Sequence, residues 1–134
     1  MATDGLTTVA SRFGPKETLD RLEADVKAKG LTVFSRIDHA AGAAAAGLTL
    51  LPTAVLIFGN ARGGTPLMQS NQLIGIDLPL KVLVWQDTSG KTWLSYVDPD
   101  TLAKRYGLPG ETIPSVNTLA GVLRTLTAKA AGAD

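Results

Sequence analysis

Cysteine is absent from the 134 residues. That removes a disulfide framework, a thiolate nucleophile and a zinc–thiolate site together, and it leaves no argument for an oxidising compartment. Histidine occurs once, as His39, so no second histidine or cysteine is there to complete a triad or a multi-ligand metal site. Charge of one sign is also missing: thirteen basic residues stand against twelve acidic ones, for a net charge of +1. They are spread along the chain and generate no field that would hold nucleic acid or an anionic membrane. No apolar run approaches the roughly 20 residues of a spanning helix, and the N-terminal MATDGLTTVAS has neither a basic nor an apolar leader region. The chain reads as a soluble, cytoplasmic protein that engages neither nucleic acid nor membrane.

What is present is enough apolar residue for one ordinary domain over residues 1–134. The chain is organised around residues 52–86, PTAVLIFGNARGGTPLMQSNQLIGIDLPLKVLVWQ. This stretch reads as a buried strand, a glycine-rich loop, a short helix, a turn and a second buried strand. The run AVLIF at 54–58 has no polar alternation and predicts an internal strand covered on both faces. The loop GNARGGT at 59–65 follows it. Thr65-Pro66 then has the cap-and-proline signature of a helix reaching about Gln72, and an irregular connection at 74–79 leads to the next strand.

The flanking segments follow the same logic. Residues 6–11 (LTTVAS) read as a first strand after the Asp4-Gly5 turn. Gly14-Pro15 opens a helix carrying Leu19, Leu22 and Val26 at helical spacing, and Gly30 ends it. Residues 31–38 (LTVFSRID) alternate as a strand, and the alanine run at 40–46 predicts a short, closely packed helix ended by Gly47. Strands at 80–86 and 92–97 form a hairpin about Asp87-Thr88-Ser89-Gly90. Asp98-Pro99 opens a helix ended by Gly107. Val116, Leu119, Ala120, Leu123 and Leu126 or Thr127 stripe a C-terminal helix at about 114–130, and the last residues, 129–134, should fray. The expected class is α+β: one two-layer domain with a mixed sheet of about five strands and helices packed mainly on one face.

The segments FSRIDHAAGAAAAGL, PTAVLIFGNARGGTPLMQ, IGIDLPLKVLVWQD, WLSYVDP and LAKRYGL, taken in order, resemble the domain of unknown function 302 family over residues 5–108. The resemblance implies a small α+β domain that associates as a homodimer, and it implies no reaction. Three positions depart from the family pattern: Ala61 where proline is usual, Gln86 where an acid is common, and Val97 where asparagine is usual. Each departure weakens a polar role at its position.

Candidate site residues cluster in two places. Asp38 and His39 stand at a strand-to-helix junction, where His39 is the one side chain that titrates near neutrality unaided. It is the candidate acid–base catalyst or single axial ligand to a haem; its plainer account is a helix-start residue bonded to backbone. Asn60, Arg62, Gly63, Gly64 and Thr65 form the glycine-rich loop, whose amides at 63–65 could face an anion with Arg62 adding charge. The loop lacks Walker spacing and its lysine. The same glycines would equally serve a positive-φ turn or subunit contact. Trp85 and Tyr96 are candidate pocket walls. Asp77 and Lys81 suggest an ion pair, Asp98 an N-cap, and Met68 a gap-filler or lid.

Three functions are compatible with these residues. The first is a dimeric, non-enzymatic domain binding a small, possibly anionic, ligand between the Asp38-His39 junction and the glycine-rich loop. The second is a haem, gas-binding, redox or catalytic protein dependent on His39, no cofactor being required by the sequence. The third is a structural interaction module, in which the alanine run and Gly63-Gly64 serve dimer packing.

Overall fold

The computed structural model describes residues 4–133; residues 1–3, part of the N-terminal stretch read for a leader, and Asp134, part of the expected frayed end, lie outside the described residues. The strands are β1 (Leu6–Ser11), β2 (Thr32–Asp38), β3 (Thr53–Gly59), β4 (Leu80–Gln86) and β5 (Thr92–Val97), and the helices are α1 (Pro15–Ala28), α2 (His39–Ala45), α3 (Ala61–Ser70), α4 (Pro99–Arg105) and α5 (Ile113–Ala130). The α+β class and the five strands are as expected. The sheet, however, is antiparallel throughout rather than mixed, in the order β1-β5-β4-β3-β2. The reason is that α1 carries the chain from one edge of the sheet to the other. β1 and β2 therefore never become the parallel neighbours that a strand–helix–strand unit usually makes.

Alternation along each strand decides which residues meet the helices. Leu56 and Phe58 of β3, Val82 and Val84 of β4, and Leu94 of β5 are all but fully buried. They pack beneath Leu22 and Val26 of α1 and Leu123 and Leu126 of α5. At the β2 edge, the Arg36 guanidinium ties strand to helix, 2.8 Å from Asp20 and 2.9 Å from Glu23. Arg36 and the lysines one turn away hold both carboxyls below the usual range, with Lys16 the larger influence on Asp20 and Arg36 on Glu23.

The opposite face of the sheet has no helical layer. Val55 and Ile57 of β3 and Leu83 and Trp85 of β4 are only partly buried. The expectation that the run at 54–58 is covered on both faces is therefore not met within one chain.

Two further expectations change. The predicted loop at 59–65 is helical: Asn60 is the N-cap, its side chain accepting from the Gly63 amide at 2.8 Å, and α3 runs on through Gly63, Gly64 and Pro66. Local propensity is outweighed here by the cap and by packing against α5. The C-terminal segment is tied down at least to Gly132 rather than frayed. Ala130 and Ala131 are buried, the Arg21 guanidinium donates to the carbonyls of Lys129 and Ala130, and the Arg12 amide donates to Ala131.

The one-sided core predicts a sharp contrast between two leucines. Leu56→Ala, at 0% exposure, should lose about 2–5 kcal/mol in urea unfolding. Leu73→Ala, at 69% exposure, should stay within about 0.5 kcal/mol of the parent. Equal losses would contradict the assignment of the core to the helix-covered face.

Candidate functional site

A cleft of about 450 Å³ opens between the start of β2, the N-terminal turn of α3, the segment entering β4, and one face of α5. Asn60, Arg62, Gly63 and Gly64 line it, as the loop reading anticipated. The rest of its wall is mainly apolar: Leu31 and Phe34 before and in β2, Leu78 and Leu80 before and in β4, Leu119 and Val122 from α5. Arg62 is the one charged residue lining the cleft, and it makes no ion pair among the described residues.

The proposed anion cradle of amides 63–65 does not form. The Gly63 amide is taken by the Asn60 side chain and the Gly64 amide by the Asn60 carbonyl at 3.3 Å. Thr65 lies inside the helix and lines only a shallow outer groove with Pro66 and Gln69. The amides with no intrahelical carbonyl to reach are those of Ala61 and Arg62, the first two helical positions.

The glycines have a local explanation as well. Neither Gly63 nor Gly64 has positive φ, which sets aside the turn reading. A Cβ on Gly63 would sit 3.1 Å from Leu119 Cδ2, whereas one on Gly64 would meet Leu78 and Met68 at 3.5 and 3.6 Å. Gly63 thus lets α3 approach α5, while Gly64 leaves the cleft wide. Met68 fills the gap beside Gly75, where a Cβ would lie 3.2 Å from its sulfur.

Asp38 and His39 do not join this cleft. β2 and β3 run antiparallel with Thr32 opposite Gly59 and Asp38 opposite Ala54, so the junction and the glycine turn lie at opposite ends of the strands, about 17 Å apart along β3. Among the described residues, the junction and the glycine turn share none of the three clefts. Asp38 is the N-cap of α2, accepting from the Ala41 amide at 2.9 Å, and His39 is that helix's exposed first residue, lining none of the clefts described here. α2 itself buries no residue, so the close packing expected of its alanines is not made within the chain.

Trp85 lies on the uncovered face of the sheet. Its ring stacks on Trp93 at 6.2 Å between centroids, and its Nε1 donates to Ser95 Oγ at 2.9 Å. Tyr96 is on the covered face, in a second cleft beside β1, α4 and α5. The expected Asp77–Lys81 pair is replaced: Lys81 Nζ donates to the backbone carbonyls of Asp77 and Pro79. The Asp77 carboxylate accepts from the Tyr106 hydroxyl and from Arg105. The tyrosine bond, and behind it Arg105, holds the Asp77 carboxyl below its usual range and pushes the Tyr106 phenol up. This clamp fixes the segment that leads into Leu78 at the cleft wall.

Sequence reasoning missed Leu119, Val122 and Leu78. Each reads in one dimension as ordinary core or connection, and α5 lay beyond the stretch carrying the family motifs.

Together these elements define a small α+β domain with one helix-covered antiparallel sheet and an apolar cleft at the α3–α5 crossing. The chain matches the family described as Domain of unknown function DUF302 over residues 7–126, and it belongs to that family. The match extends past 108 to include most of α5. The chain is also 46% identical over 128 residues to a protein named Fluoride-specific ion channel FluC 1 from Brucella suis biovar 1 (strain 1330), covering 96% of this chain and 50% of that protein. The same identity holds for Fluoride-specific ion channel FluC 2 from Brucella melitensis biotype 1 (strain ATCC 23456 / CCUG 17765 / NCTC 10094 / 16M), covering 47% of it. The chain thus spans about half the length of these relatives. Among solved structures, the uncharacterized conserved protein DUF302 from Bacillus stearothermophilus has the same fold, with a TM-score of 0.76, 24% identity, and 96% and 97% of the two chains covered. No described helix of this chain is long and apolar enough to cross a membrane.

The two glycines separate packing from cleft width. Gly64→Ala should stabilise the protein by about 0.5–1 kcal/mol, the usual gain of alanine over glycine inside a helix. Gly63→Ala should gain clearly less, because its methyl presses on Leu119. Denaturant midpoints decide it, and equal gains would show that α3 and α5 are not in tight contact.

Proposed function

We propose that this chain is a non-enzymatic binding domain whose α3–α5 cleft takes a small, mostly apolar molecule with an anionic end directed at Arg62. The observation that carries the reading is the composition of the cleft: about 450 Å³ of mainly hydrocarbon and glycine wall with one guanidinium, that of Arg62, which makes no ion pair among the described residues. A preformed apolar cleft with few convergent polar groups is the usual form of a small-molecule site. His39 plays no part in it, so a catalytic or haem role for that residue draws no support from the cleft.

Octanoate and 1-octanol are suitable paired probes in amide-resonance titrations. Octanoate should shift Gly63, Gly64 and Val122 saturably and bind more tightly than octanol. Arg62→Gln should erase that difference while leaving octanol binding intact. If neither probe moves those resonances, the cleft is not a ligand site of this kind.

We further propose that two copies pair through the uncovered face of the sheet. The support is an apolar row, Val55, Ile57, Leu83 and Trp85, that no helix covers. It continues to Ile37, Leu6 and Val97, each 39–40% exposed. A sheet face of this composition ordinarily acquires a second layer. Light scattering should give a dimer, and Ile57→Lys should give a folded monomer; a monomeric parent at micromolar concentration would refute the pairing.

A second reading comes from the relatives' name. If the half of those proteins that this chain matches serves their fluoride transport, it would do so as an accessory, since conduction through a bilayer needs spanning segments. Fluoride added to the same samples tests this. Shifts confined to the Ala61 and Arg62 amides would favour it over the apolar-ligand reading.

A further inference from the structure

On the side of α5 turned away from the first cleft lies a second one of about 420 Å³, between β1, β5, the start of α4, and α5. We infer that this cleft is a site for a small zwitterion of amino-acid type, with its ammonium at Asp98, its carboxylate at Arg124 and a hydrogen bond to the Tyr96 hydroxyl. It shares no lining residue with the α3–α5 cleft and stands independently of the function proposed for that cleft.

Tyr96 is the starting observation. It is 8% exposed, yet its hydroxyl has no hydrogen-bond partner among the described residues. Among the described residues every sealed side-chain nitrogen or oxygen is satisfied, so the hydroxyl is not sealed. It opens on this cleft, the one that Tyr96 lines. A hydroxyl that opens on a cleft without a protein partner can both donate to and accept from an occupant.

Two complementary charges, Asp98 and Arg124, line the same cleft. Asp98 occupies the N-cap position of α4, and its backbone carbonyl accepts from the Leu102 amide at 3.3 Å. Its side chain makes no capping bond, contrary to the role expected for it. Instead it is turned across to β1, where one oxygen accepts from the Thr7 hydroxyl and the other is unengaged. Across the cleft, Arg124 has no carboxylate within 4.0 Å among the described residues. Asp100, the other acid lining the cleft, is satisfied by Lys104 at 3.1 Å. What remains is one free carboxylate oxygen, one free guanidinium and one free hydroxyl above a floor of Val9, Pro99 and Ala120. Opposite charges too far apart to pair are bridged by a molecule carrying both signs, and the apolar floor suits a short aliphatic side chain.

L-valine is the probe, with isobutylamine and isovalerate as its two half-molecules, in amide titrations of the full chain. Valine should give saturable shifts at the amides of Asp98, Asp100, Thr101 and residues 124–128 and bind more tightly than either half. Tyr96→Phe and Arg124→Gln should each weaken it about tenfold, the loss expected for a hydrogen bond to a charged group. Tyr96→Phe should leave the melting temperature unchanged or raised, because the hydroxyl it removes has no protein partner. Arg62→Gln should not affect valine. Absence of saturable shifts at millimolar valine would overturn the site. Isobutylamine binding as tightly as valine with Arg124→Gln neutral would overturn the zwitterion assignment.

Discussion

Everything in this structure depends on the sheet being covered by helices on one face only. In an antiparallel sheet successive residues point to opposite faces, so a single layer of helices makes every second residue core. Leu56, Phe58, Val82, Val84 and Leu94 are accordingly sealed. Their immediate neighbours Val55, Ile57, Leu83 and Trp93 are not, although several are as apolar as the core itself. A run such as AVLIF carries no polar alternation because its second face is also suited to contact with protein or another apolar layer. Read within one chain, that face is exposed hydrocarbon. Read as half of an assembly, it is the second layer that the continuous apolar pattern anticipates.

The same constraint places both clefts on the helix side, where α5 is their common wall. Thr118, Leu119 and Val122 turn to one cleft, and Ala120, Arg124 and Thr127 to the other, which follows from the roughly 100° between successive residues of a helix. Between them, Val116, Leu123 and Leu126 hold α5 on the sheet. The helix is anchored again at its end by Arg21, which also lies over the Phe13 ring, 4.2 Å from its centroid. Movement of α5 would alter both clefts at once, so the bonds that tie down its last turn bear on the shape of the clefts as well as on stability.

Much of the architecture was legible in the sequence because it rests on short-range signals. Alternation, Gly-Pro and Asp-Pro starts and terminal glycines mark nine of the ten strands and helices with small errors at their ends. The tenth, α3, begins earlier than expected: Gly63 and Gly64 read as loop and Thr65-Pro66 as the helix start, whereas the local Asn60 cap on the Gly63 amide opens the helix, and the fit of Gly63 against Leu119 depends on a residue 56 positions away. Strand order was illegible for a related reason: nothing local states that α1 crosses the whole sheet. The candidate site was half legible. Asn60, Arg62, Gly63 and Gly64 do line a cleft, but Asp38 and His39 were joined to them on the assumption that strand ends converge, and in antiparallel neighbours the two junctions fall at opposite ends.

The three departures from the family pattern gain meaning from their places. Gln86 closes the β4–β5 hairpin, its Nε2 donating to the Gly90 carbonyl at 3.1 Å. An acid there would forfeit that donor, so the amide has a structural use of its own. Val97 is the exposed last residue of β5, paired with Leu6 on the uncovered face, and it exchanges a polar strand end for more hydrocarbon on the surface that has no second layer. Ala61 is the first residue of α3, where proline would pre-set φ without losing a bonded amide. With alanine that position keeps its N–H, at the mouth of the apolar cleft and beside Arg62. Two of the changes thus alter the surfaces on which this chain would meet a ligand or a second copy, and none touches the buried face that holds the domain together.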